Sequence, residues 1–166
     1  HYRAQAQMVE EKIVPSKDAA PKLALNDWGG APIYGDVLFH EDQFQVIQDL
    51  DGVSDSGISG TLNGVDKASW GWETWNTDVA AMDGGLQLIL LWARNHMGGA
   101  VLPMSIGEMR MTSTIPPEGK IQCVAQCREA SKNRGVADLV FHNQDGERFA
   151  ELNSVEVILR PDVPKA

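Results

Sequence analysis

The chain has 166 residues, a formal charge of -9 and 43% hydrophobic residues, enough for one domain with a real core and no need of a second. Its acidity argues against nucleic acid or anionic membrane as the main partner, because both require a basic surface. The longest apolar run, Leu86 to Ala93, is far short of the roughly 20 residues that span a bilayer, and the opening residues do not resemble a signal peptide; the expectation is a cytoplasmic protein.

Residues 1–9, "HYRAQAQMV", alternate well enough for a short strand, and "EEKIVPSKDAAPK" then has the charge, prolines and small residues of a linker. A boundary is therefore set at residue 20, with 1–20 a trailing strand and linker from a preceding domain and 21–166 the main domain. A start at His1 without methionine suggests a piece of something longer. "FQVIQDLDGV" and "SGISGTLNGV" flank a turn around Ser54 to Gly57 and predict a hairpin. The tryptophan-rich "SWGWETWNT" follows, in which Trp70, Trp72 and Trp75 can wall a cavity or cover the core. Asn76, Thr77 or Asp78 is available to cap the helix after it.

That helix, "WNTDVAAMDGGLQLILLWARNHMGG", is apolar almost all round, as expected of a helix wrapped by a sheet. At about 100° per residue, Gln87 falls about 40° and Arg94 about 20° from Asp83, so the polar groups share one stripe. Burying an ionised Asp83 without partners would cost several kcal/mol. Gly84 and Gly85 cost roughly 1 kcal/mol each relative to alanine, unless something must approach the helix closely. Two readings stay open from the pattern: a capped helix edge with glycines that let the sheet pack, or an acid facing a pocket and oriented by Gln87 one turn later.

Beyond the helix, "PMSIGEMRMTST", "KIQCVAQCREAS" and "GVADLVFHN" predict strands, and "NQDG" joins the third to a last strand, "RFAELNSVEVILR". The expected architecture is α+β, a hairpin and a long helix followed by an antiparallel meander. Cys123 and Cys127, four apart on a strand, would have α-carbons about 13 Å apart, too far for a disulfide, and no histidine beside them completes a metal site. Glu151 and Glu156 have odd spacing, which predicts opposite faces of their strand. His96, near the helix end, is read as favouring the dipole there. No phosphate-cradling glycine motif follows a strand.

The segment "TDVAAMDGGLQLILLWA", with "YGDVLFHEDQFQVI" before it and "LPMSIGEMRM" after it, resembles the C-terminal hotdog half of the dehydratase domains of polyketide synthases and polyunsaturated fatty acid synthases. The resemblance runs from about Tyr34 to Arg160. The family's D-x-x-x-Q or D-x-x-x-H pattern is matched by Asp83 and Gln87, and its "LFHGPRFQ" by Leu38, Phe39, His40, Phe44 and Gln45.

The resemblance implies a hotdog fold, a long central helix wrapped by a curled antiparallel sheet. It implies a 3-hydroxyacyl substrate on the phosphopantetheine arm of an acyl carrier protein, loss of water to give a 2-enoyl thioester, and no further cofactor. Asp83 would protonate or hold the departing hydroxyl, Gln87 would orient it, and Gly84, Gly85, His40 and Phe44 would lie against the substrate. The family's base is a histidine from an N-terminal hotdog or a second hotdog subunit. Its motif, with a glycine four residues on and a proline five beyond that, is not met here: His142 and Gly146 fit the first part, but Glu151 stands at the proline position. Glu41 and Asp42 replace the family's Gly-Pro. A noncatalytic dehydratase-like module and a single-hotdog thioesterase or hydratase working as a homodimer are the alternatives.

Overall fold

The computed structural model describes residues 3–9, 17–35, 38–70 and 75–160. Its elements are β1 (Ile47–Ser54), β2 (Gly57–Asn63), a short α1 (Val65–Ala68), the long α2 (Val79–Met97), then β3 (Val101–Met111), β4 (Lys120–Ala130), β5 (Arg134–His142) and β6 (Arg148–Leu159). The strands form one antiparallel sheet in the order β1-β2-β4-β5-β6-β3. A single long helix against this curled sheet is the expected α+β hotdog.

The β1–β2 hairpin turns where expected, with Ser54 opposite Gly57. The last four strands are not a simple meander. β3 pairs with β6 at the sheet edge, while β4 is flanked by β2 and β5. The link between β3 and β4 contains Pro116 and Pro117, which lack the N–H groups that a tight hairpin would use; β3 is therefore free to pair elsewhere. Residues 3–9 carry no regular secondary structure and are exposed. The linker stretch 10–16, Trp72 and residues 161–166 lie outside the described residues.

Helix α2 supplies much of the core. Leu88, Ile89, Leu91 and Trp92 are each 1% exposed or less and pack with Ile58, Leu62, Ile121, Leu139, Phe141, Leu152 and Val155 from the sheet. The Trp92 indole N–H donates to the Ser54 carbonyl at 3.0 Å, so its one polar group is satisfied in the core. Gly98 ends the helix with φ 70°, its amide bonded to the Arg94 carbonyl.

One strand carries an irregularity that matters for facing. In β6, Ser154 has φ 54°, and Leu152 and Val155 on either side of the Asn153–Ser154 bulge both reach the core. The alternation is reset, so Glu151 and Glu156 do not take opposite faces as their spacing predicted; both are directed away from the core. There they pair with Arg148 at 2.7 Å and Arg134 at 2.5 Å, and the Arg134 guanidinium lowers the Glu156 carboxyl below its usual range.

β3, at the edge, is exposed along nearly its whole length, and Leu102, Met104, Ile106, Met109 and Met111 are each 40% exposed or more. An apolar strand with an unpaired ladder edge is an open surface for another chain or domain.

Segment 17–35 ties itself to the sheet at several places. The Asp18 carboxylate meets Arg148 at 3.1 Å, and its carbonyl lies 3.2 Å from His142 Nε2. Farther on, Asn26 and Val53 exchange both backbone hydrogen bonds on the free side of β1.

Candidate active site

The site is built from the first turns of α2. Asp78 is the N-cap: it is fully buried, accepts from the Ala81 amide at 2.8 Å, and also accepts from the Val65 amide at 3.1 and 3.2 Å. One carboxylate thus satisfies orphan donors of two helices. Burial pushes the Asp78 carboxyl above its ordinary value, against the hydrogen bonds from Ala81 and Val65 that pull it down.

Asp83 follows in the second turn and is partly buried. Its Oδ2 accepts from Gln87 Nε2 at 2.7 Å, across one helical turn. Gln87 is 1% exposed and has every major polar valence filled. Its second Nε2 hydrogen goes to the Phe44 carbonyl at 2.8 Å, and its Oε1 accepts from the Tyr34 hydroxyl at 2.9 Å. Tyr34 Oη in turn accepts from the Ile47 amide at 2.7 Å. Burial raises the Tyr34 phenol to about 12, with Asp83 pushing the same way, so it stays a donor at neutral pH.

Phe44 ends the 3-10 turn Asp42–Phe44. It meets this network through its backbone, while its ring is 46% exposed and stands edge-on to Trp70, with centroids 5.0 Å apart. Trp70 donates to the Gln43 carbonyl at 3.1 Å and receives Trp75 Nε1 on its own carbonyl at 2.8 Å. These two tryptophans therefore fix the loop beside Asp83. The His40 ring stacks on Phe39, with centroids 4.8 Å apart, and its Nδ1 is buried without a hydrogen-bond partner among the described residues.

The two glycines face the sheet. A β-carbon on Gly84 would stand 3.0 Å from Leu62 and Val46, and one on Gly85 would stand 2.6 Å from Phe141 Cζ and 2.9 Å from Leu139 Cδ2. The close approach that they permit is made by the sheet's own side chains.

Asp83, Gln87 and Phe44 are thus joined in one network, whereas no described hydrogen bond brings the His40 ring to it. His142 is not bonded into it and meets the Asp18 carbonyl instead. Phe141 faces α2 at Gly85, so the next residue along β5 points to the opposite face of the sheet. Tyr34 is the residue that sequence reasoning missed. It lies in the stretch that carried the resemblance, but its partner is 53 residues away and no local pattern marks the pair.

Two clefts lie elsewhere: one of about 540 Å³ lined by Asn26, Asp27, Asp55 and Asn95, the other of about 210 Å³ between Asp66, Lys67 and Pro116 to Glu118. Among the described residues no group of three or more His, Cys, Asp or Glu is placed to hold a metal ion, and no helix is long and apolar enough to cross a membrane.

Residues 19–162 match the family described as polyketide synthase dehydratase N-terminal domain. The chain is 24% identical over 162 residues to a polyunsaturated fatty acid synthase polypeptide of Thraustochytrium, a match that takes in 92% of this chain and 6% of that polypeptide. Among solved structures it is similar to the dehydratase domain from the CurJ module of the curacin polyketide synthase, with TM-score 0.69 and 15% identity over 86% of this chain and 54% of that one. It is similar also to the dehydratase domain of RzxB from Pseudomonas fluorescens, with TM-score 0.60 and 12% identity over 71% of this chain and 42% of that one. The chain therefore spans about half of each such domain and a small part of the synthase polypeptide. The matching family is described by its N-terminal domain, whereas the resemblance drawn from Asp83 and Gln87 is to the C-terminal half. With its one long helix inside a six-stranded curled sheet and its match over residues 19–162, the chain belongs to the polyketide synthase dehydratase family, as a single hotdog half.

Proposed function

We propose that this hotdog half supplies the acid for removal of water from a 3-hydroxyacyl thioester on the phosphopantetheine arm of an acyl carrier protein, in a polyketide or polyunsaturated fatty acid synthase of the cytoplasm. The observation that carries the reading is the set of bonds at Asp83. Gln87 engages Oδ2, and Oδ1 makes no hydrogen bond within the described residues, so one oxygen is fixed and the other is available to a reacting group.

The base would be a histidine of another hotdog. It takes the α-proton; the electron pair forms the double bond; the C–O bond at the β-carbon breaks, and the hydroxyl leaves with the Asp83 proton as water. The exposed apolar edge of β3 suits the docking of that second hotdog, whether an N-terminal half or another subunit. Gly84 and Gly85 seat α2 against the sheet and set the height of Asp83. His40 and Phe44, on the loop bonded to Gln87, would meet the acyl chain.

Asp83→Asn in the complete synthase is expected to lower dehydration of a 3-hydroxyacyl carrier-protein substrate by about 10²- to 10⁴-fold, with the fold retained. Undiminished enoyl product would sink the reading. A noncatalytic module that binds the acyl chain or carrier protein is favoured by one observation, that no histidine of this chain is hydrogen-bonded into the Asp83 network among the described residues. Undiminished product with Asp83→Asn is the result that this second reading predicts.

A further inference from the structure

Hydrogen-bond direction in the Asp83 network permits one arrangement. The Ile47 amide can only donate, so Tyr34 Oη must accept from it and has one hydrogen of its own to give. The Phe44 carbonyl can only accept, which turns the Gln87 Nε2 toward it and leaves Oε1 facing Tyr34. A flipped Gln87 amide would set Oε1 against two acceptors, the Phe44 carbonyl and Asp83 Oδ2. Donation therefore runs Ile47 to Tyr34 to Gln87, and the free hydrogen of Gln87 is aimed at Asp83 Oδ2. An oxygen that receives this hydrogen bond is the carbonyl-like oxygen of the protonated acid, and the transferable proton belongs on the other.

We propose that Tyr34 is a positioning residue which, through Gln87, confines the proton of Asp83 to Oδ1. This rests on Asp83 being the acid of the dehydration. The geometry supports it in two further ways. Gln87 is 1% exposed, so water has little access with which to replace a lost donor. Tyr34 is itself held from the other side of its hydroxyl by a backbone amide at the start of β1, so its hydrogen cannot turn to another acceptor without that bond being strained. The sheet margin, rather than the helix alone, therefore sets which oxygen of Asp83 is the acidic one.

The test is a cycle in the complete synthase with Tyr34→Phe, Gln87→Leu and the double variant, assayed for dehydration alongside Asp83→Asn. Tyr34→Phe should lower kcat on the order of 10-fold, the loss expected for one oriented hydrogen bond, with KM unchanged. In the Gln87→Leu background the same substitution should have no further effect on kcat, because Tyr34 acts through the amide. An unchanged kcat with Tyr34→Phe, or an equal fall in both backgrounds, overturns the assignment. So does a Tyr34→Phe protein that fails to fold, since the hydroxyl would then serve the fold and not the acid. A silent Asp83→Asn would instead bring down the underlying reading of the acid, and is told apart from the other outcomes by that variant alone.

Discussion

Replacing Gly85 by alanine separates two explanations of the double glycine. A mid-helix alanine is favoured over glycine by about 1 kcal/mol, and that gain would be seen in full if nothing lay against the α-carbon. In the folded chain the new β-carbon would stand 2.6 Å from Phe141 Cζ, 2.8 Å from Cε1 and 2.9 Å from Leu139 Cδ2. The Phe141 ring is fully buried and has Phe149 beside it at a centroid distance of 6.2 Å, so it has little room to yield. Overpacking of this kind costs about 1–3 kcal/mol, and the rigid setting places Gly85 in the upper part of that range. The net expectation is a loss of about 1–2 kcal/mol. For a domain of this length that is a fall of about 2–8 °C in Tm. At Gly84 the neighbours stand at 3.0 Å and are aliphatic side-chain tips, so the two contributions nearly cancel. Urea unfolding of both variants, followed by tryptophan fluorescence, measures the difference directly. A Gly85→Ala protein as stable as wild type or more so would refute the packing argument and return the glycine to a role in approach of a ligand.

Two further outcomes follow from buried ionisable groups. The Asp78 carboxyl is raised by burial, so the folded state holds its proton more tightly than the unfolded chain does, and stability is lost as pH rises from the unfolded value through the raised one. Asp78→Asn keeps an acceptor oxygen at the cap and does not titrate; its stability relative to wild type should improve over that interval in urea titrations, and a flat difference would contradict the buried setting. The second concerns Tyr34, raised to about 12. In a spectrophotometric titration the absorbance missing from Tyr34→Phe should be a component near pH 12; loss of a component at the ordinary phenol value would count against its burial. Because the folded value is the higher, this tyrosine withdraws stability between about pH 10 and 12.

Much of the frame was legible because it is local. The hairpin at Ser54 to Gly57, the apolar run of α2 and the turn before β6 are each specified within a few residues by turn chemistry or periodicity. Asp83 and Gln87 are one helical turn apart, so their contact was legible too. The place of β3 beside β6 was not, because edge pairing is settled by which ladder remains open after the helix crosses the sheet. Glu151 and Glu156 were misplaced because one bulge at Ser154 cannot be counted from spacing. The contacts of Gln87 with Tyr34 and Phe44 lie 53 and 43 residues apart, and such distances leave no periodic trace. The family resemblance supplied the chemistry to look for, and of the two readings that the pattern left open for Gly84 and Gly85, close packing against the sheet is the one their neighbours make concrete.

The order of the ties along segment 17–35 has a mechanical consequence. A pull on the chain ahead of Asp18 reaches the domain first at Arg148 and His142, on the β5–β6 hairpin, and only afterwards at the paired amides of Asn26 and Val53. Tension is thus met by contacts at the β5–β6 turn before the Asn26–Val53 backbone pair is loaded. The Tyr34 hydroxyl bonds that hold the Asp83 network lie farther along the segment still, so the lead-in can peel from Arg148 and His142 while that network stays where it is.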